Sequence, residues 1–103
     1  MSRGPDAGTL VARAIERDAR RAGCVVTLSL RESSRWASAT FIGARHHLAL
    51  DGPDDTAFAH WLARLAEADL PIRGHLVADL AIVSDIRAVG RATAHVEALT
   101  VET

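Results

Sequence analysis

The stretch from Pro53 to Val83 constrains the fold of this chain most. It reads as an amphipathic helix running into the most strictly alternating strand. Gly52 can serve as N-cap with Pro53 at the first helical position, where the ring's fixed φ suits a helix and no N–H is missed. Asp54 and Asp55 then meet the positive end of the macrodipole. Phe58, Trp61, Leu62, Leu65 and Ala66 recur at helical spacing, while His60, Arg64 and Glu67 fall off that stripe. Pro71 is expected to end the helix near Leu70, because the residue before a proline avoids the α region. Gly74 supplies a turn, and Leu76, Ala78, Leu80 and Ile82 follow at period two.

A helix stripe and a half-buried strand need a shared core, and 103 residues suffice for one two-layer core. Apolar residues make up 49% and charged residues 24%, which fits a folded chain and argues against disorder. Residues 1–6 read as a frayed N-terminal segment and 7–103 as a single α+β domain. The net charge of −1 offers no footprint for nucleic acid or an anionic membrane. Every basic residue is arginine, and Lys, Asn, Gln and Tyr are absent, as a GC-rich coding bias would produce. The arginines are spread along the chain, whereas a phosphate-binding surface needs them clustered. Cys24 has no partner for a disulfide, so a cytoplasmic setting is expected. No stretch approaches the roughly 18 apolar residues of a membrane span, and no apolar signal core follows Met1.

The remaining elements follow from the same patterns. Thr9 to Ala22 predicts a first helix, capped by Asp6 or Thr9 and closed by Arg20, Arg21 and Gly23. Cys24 to Arg31 alternates as a strand with Val26, Leu28 and Leu30 inward. Glu32 to Arg35 reads as a polar turn and Trp36 to Ile42 as a second strand. Gly43 marks a bulge that resets the alternation, after which His46, Leu48 and Leu50 share one face and Arg45, His47 and Ala49 the other. Ser84 to Gly90 reads as a loop, and Arg91 to Glu102 as a last strand. The order predicts an αββαββ two-layer sandwich, a four-stranded antiparallel sheet with both helices on one face. A ferredoxin-like sheet with its first strand moved to the end would give the same order, an analogy of fold alone.

Chemistry-bearing residues are sparse. His46 and His47 adjoin in a strand and point to opposite faces, so they cannot chelate one metal, and all five histidines read as surface or edge residues. Neither metal nor cofactor is expected. If 75–84 and 91–102 form a hairpin, Asp79 comes near His95, with Glu97 on the same face and His75 as a further member. A carboxylate beside an imidazole raises its pKa and can orient it as a general base, so His95, Asp79 and Glu97 are the candidate catalytic residues. No phosphate loop, GxGxxG, GxSxG or CxxC occurs.

The helix-free sheet face carries the functional expectation. Trp36, Ile42, Val77 and Val83 are assigned there, with Leu99 and Val101, and a monomer rarely leaves that much apolar surface in water. The first reading is therefore a non-enzymatic interaction or assembly domain, homodimeric through that face, with no nucleic-acid or membrane partner. The alternative is a small enzyme or ligand-binding domain using Asp79, His95 and Glu97 at a dimer cleft. A flat apolar sheet interface favours the first, and a pocket of roughly 300 Å³ or more holding convergent polar groups favours the second.

Overall fold

In the computed structural model, which describes residues 6–103, Asp6 accepts a hydrogen bond from the Thr9 amide at 2.9 Å and so starts helix α1 (Ala7–Arg21). Strands β1 (Thr27–Ala37) and β2 (Ile42–Pro53) follow, then helix α2 (Thr56–Leu65) and strands β3 (His75–Ala88) and β4 (Arg91–Glu102). The expected frayed start lies outside the described residues except for Asp6, the α1 cap. The fold is α+β, with one antiparallel sheet in the order β1-β2-β4-β3. Val11 and Ile15 of α1 and Phe58, Trp61, Leu62 and Leu65 of α2 share a core with Leu48, Leu50, Leu80 and Val96 of the sheet. Both helices therefore cover the same sheet face, and the indole N–H of Trp61 donates to the Asp18 carboxylate at 2.9 Å, joining helix to helix. Among the described residues no helix is long and apolar enough to cross a membrane.

Several boundaries differ from the sequence reading, each for a local reason. Gly52 and Pro53 do not begin α2; they finish β2, paired with Ala92 and Arg91. Asp55 is the cap instead, accepting from the Phe58 amide at 2.8 Å, because a carboxylate satisfies an orphan helix N–H and glycine cannot. At the other end α2 stops at Leu65, and the Glu67 and Ala68 amides close a tighter turn onto the Arg64 and Leu65 carbonyls. The chain turns before it reaches Pro71. The stretch Glu32 to Arg35 is strand, not turn, and Trp36 ends β1 instead of beginning a second strand. The reversal falls at residues 38–41, where the Ser38 hydroxyl accepts from the Phe41 amide at 3.0 Å. Ser84 to Ala88, read as loop, extends β3.

Bulges account for the errors of face. Register shifts mark Arg31 in β1 and Ala78 and Val83 in β3 as extra residues, and each reverses the alternation beyond it. Val77, expected on the bare face, packs against the core, and Leu76 takes the bare face opposite Val101. Ile42 alternates with Gly43 and falls in phase with Ala44 and His46 on the helix side, half exposed at the hairpin end. Val83 sits exposed at a bulge. Trp36 keeps its expected face, its indole standing over Gly43 of β2, where an added Cβ would lie 2.6 Å from the ring.

Candidate functional site

The residues expected to form a catalytic cluster are dispersed. His95 and Glu97 do share the bare face of β4, but Asp79 pairs with Leu99, four residues from His95. That separation is roughly 13 Å along a strand, too far for contact. Val83, the extra residue of β3, brings Ser84 opposite His95, and His47 of β2 lies diagonally beside it with ring centroids 5.4 Å apart. Glu97 is paired with His47. His75 lies on the opposite sheet face, paired with Glu102. Among the described residues no three His, Cys, Asp or Glu side chains are grouped to hold a metal ion.

Polar groups converge on the other face. A cleft of about 630 Å³ opens between the first turn of α1 and the sheet end where β1, β2, β4 and β3 present Ser33, His46, Thr100 and His75. Ser33 reaches it only because of Arg31. Leu28 and Leu30 face the helices, and without the extra residue the alternation would send Ser33 and Arg35 to the bare side. With it, Ser33 stands opposite His46, and its hydroxyl lies 2.7 Å from the His46 Nδ1. Gly8 of α1 closes over the pair. A Cβ there would come within 2.9 Å of the Ser33 Oγ and 3.2 Å of the His46 Nδ1, so a residue without a side chain makes room for both.

His46 is buried, 1% exposed, with a hydroxyl within hydrogen-bond distance of each ring nitrogen. The Thr100 hydroxyl can donate to the Ala44 carbonyl at 3.4 Å, which leaves its oxygen to accept from His46 Nε2–H at 2.9 Å. In that tautomer Nδ1 keeps its lone pair and can accept the Ser33 hydroxyl proton. Burial pushes the His46 pKa below its ordinary value, and His75 adds to that push while Asp6 opposes it. The imidazole is thus held neutral, bonded at both nitrogens, with Ser33 as the one partner on the open side. The arrangement is a hydroxyl, a base and an orienting group in series, the pattern of an activated nucleophile.

The sequence reading missed this pair. His46 was assigned to the surface or an edge, and it is buried; its phase with Leu48 and Leu50 was the available signal. Ser33 lies in the polar run Glu32 to Arg35, which reads as a turn in sequence, and the bulge that keeps it in a strand has no mark in hydrophobic periodicity. Cys24 packs half-buried against the core just before β1, and its thiol donates to the Ala57 carbonyl at 3.4 Å. Desolvation, followed by the charge of Asp55, pushes its thiol pKa up. No family model matches the chain, and no curated protein matches it.

Proposed function

We propose that the chain is a small-molecule-binding domain whose ligand occupies the cleft around His46. The observation that carries this reading is the cleft itself, about 630 Å³ with Ser33, His46, His75 and Thr100 turned toward it. Ligand sites are concave, few per protein and furnished with a small number of placed polar groups. Arg35 on one wall and Asp6 and Glu102 on others favour a small polar molecule bearing charges of both signs. The catalytic trio expected from sequence is replaced in this reading by residues of the helix-covered face. The lone thiol, Cys24, supports a reducing, cytoplasmic setting.

Titration of isotope-labelled protein with a panel of amino-acid-sized zwitterions and hydroxy acids tests the reading by amide chemical shifts. Shifts concentrated at Gly8, Ser33, His46, His75 and Thr100 are expected. A panel that moves none of these amides, or moves only the bare face, refutes it.

Assembly through the bare face is the second reading, favoured by one row of residues. Trp36, Gly43, Val101 and Leu76 stand side by side across all four strands, giving an apolar band at one end of that face. Two such bands related by a two-fold axis would cover each other. Leu76 is 58% exposed, so Leu76→Arg leaves the fold intact. Sedimentation of a wild-type dimer and a variant monomer supports this reading, and a monomeric wild type at high concentration ends it.

A further inference from the structure

We infer that Ser33 is a nucleophile activated by His46, and that the cleft accepts small carboxylic esters and transfers their acyl group to the serine. This rests on the reading of the cleft as a ligand site and assigns that site a reaction. Three separate features of the chain converge on the same pair. The extra residue Arg31 turns Ser33 toward the helices, Gly8 leaves the volume the pair occupies, and the Thr100 hydroxyl stands 2.9 Å from His46 Nε2, placed to accept its proton. With the ring proton on Nε2, the Ser33 hydroxyl 2.7 Å from Nδ1 needs no movement to begin proton transfer. The base is buried, while Ser33 itself is exposed and reachable from solvent.

The reaction balances with groups at hand. The Ser33 Oγ forms a bond to the ester carbonyl carbon as its proton passes to His46 Nδ1, and the carbonyl π pair moves onto oxygen. Collapse of that adduct breaks the bond to the alkoxy group, which leaves with the proton from His46. Water then repeats the attack on acyl-Ser33, with His46 taking and returning its proton, and the carboxylic acid departs. Arg35, two residues along the same strand and on the same cleft wall, is the cation available to the transient oxyanion. Thr100 is a positioning residue that holds the tautomer.

The pH dependence follows from what surrounds the imidazole. Asp6, the cap of α1, Arg35 of β1, His75 of β3 and Glu102 of β4 line the same cleft as His46. Burial dominates and keeps His46 neutral at and somewhat below the ordinary histidine value. Acylation is therefore expected to be flat through neutral pH and to fall only on the acid side of about 6.5.

The test uses p-nitrophenyl acetate as reactive probe and p-nitroacetanilide as its unreactive amide counterpart. Wild-type protein quenched in acid during turnover should carry one acetyl group, located at Ser33 by peptide mass mapping, with release of nitrophenolate. Ser33→Ala should lose the adduct. His46→Gln, which keeps hydrogen bonds but supplies no base, should slow acylation by roughly 100-fold or more. Ser34→Ala, on the opposite face, should react as wild type. Melting curves confirm that each variant is folded. Acetylation elsewhere, or a folded His46→Gln with the wild-type rate and pH profile, overturns the assignment. Amide-shift changes at the cleft with the anilide, without acylation by the ester, overturn the nucleophile and leave the binding reading standing. No response to either probe overturns the nucleophile as well.

Discussion

Replacing Gly43 by alanine should damage this fold more than any other single methyl addition to its sheet. Gly43 pairs with Trp36 on one side and Val101 on the other. The new Cβ would collide with the Thr100 backbone carbonyl oxygen and approach the Trp36 ring at 2.6 Å. The ring can tilt away, but a carbonyl in a strand ladder cannot, so β2 and β4 must part at this end. Losing about two ladder bonds costs roughly 1–3 kcal/mol. Residual overpacking against the indole adds about 1–3 kcal/mol. The total, roughly 2–6 kcal/mol, is a large share of the ~5–15 kcal/mol expected for a domain of this size. At about 4–8 °C per kcal/mol, Tm should fall by at least roughly 8 °C in a circular-dichroism melt. Adding Trp36→Ala should recover only the smaller, ring-derived part. A Gly43→Ala protein melting within about 2 °C of wild type would refute the close approach of β4 to this glycine. Full rescue by Trp36→Ala would move the obstacle from backbone to ring.

Trp61→Ala should cost about 3–5 kcal/mol, the range for truncating a buried large aromatic, and leave the chain largely unfolded by circular dichroism; Trp61 is 2% exposed. A near-native melt would place the side chain outside the core. Asp55→Ala removes the cap of a ten-residue helix and should cost about 0.5–2 kcal/mol in urea unfolding. An unchanged midpoint would mean the cap contributes nothing. His46 has a native pKa below its unfolded value of 6.5, so the unfolded chain binds the extra proton first. Its contribution to stability should be complete above about pH 6.5 and decline as pH falls through the lowered native pKa. His46→Gln should flatten that part of the urea-derived stability profile, and an unchanged slope would assign the pH dependence to other groups.

Elements governed by local pattern were legible in the sequence. The α2 stripe of Phe58, Trp61, Leu62 and Leu65 is buried as its spacing implied. His46, Leu48 and Leu50 share one face of β2, and Leu99 and Val101 share the bare face of β4, as period two required. What escaped detection was the insertion of single residues into strands. Period two has no memory across a bulge, so Val77 was sent to the wrong face and Ser33 was taken for part of a turn. Asp79 falls short of His95 for another reason: Ser84 to Ala88 continues β3, so the hairpin turns later than the polar run 84–90 implies and Asp79 pairs with Leu99. Boundaries failed where two local preferences competed, as at Gly52 and Pro53, which suit a helix start but are held by pairing to β4.

The three displaced registers lie on β1 and β3, while β2 and β4 pair without a break. β1 and β3 are the two outer strands, whose far sides carry N–H and C=O groups with no neighbouring strand in the sheet. A straight outer strand of 11 or 14 residues would template the same strand of another molecule, and pairing of that kind can extend into fibres. A kink breaks the even spacing that such growth requires. Deleting Arg31 from β1, or Ala78 and Val83 together from β3, would therefore do more than exchange two faces. It would straighten a rim, and the shortened chain should form thioflavin-positive aggregates under conditions where the parent protein stays in solution.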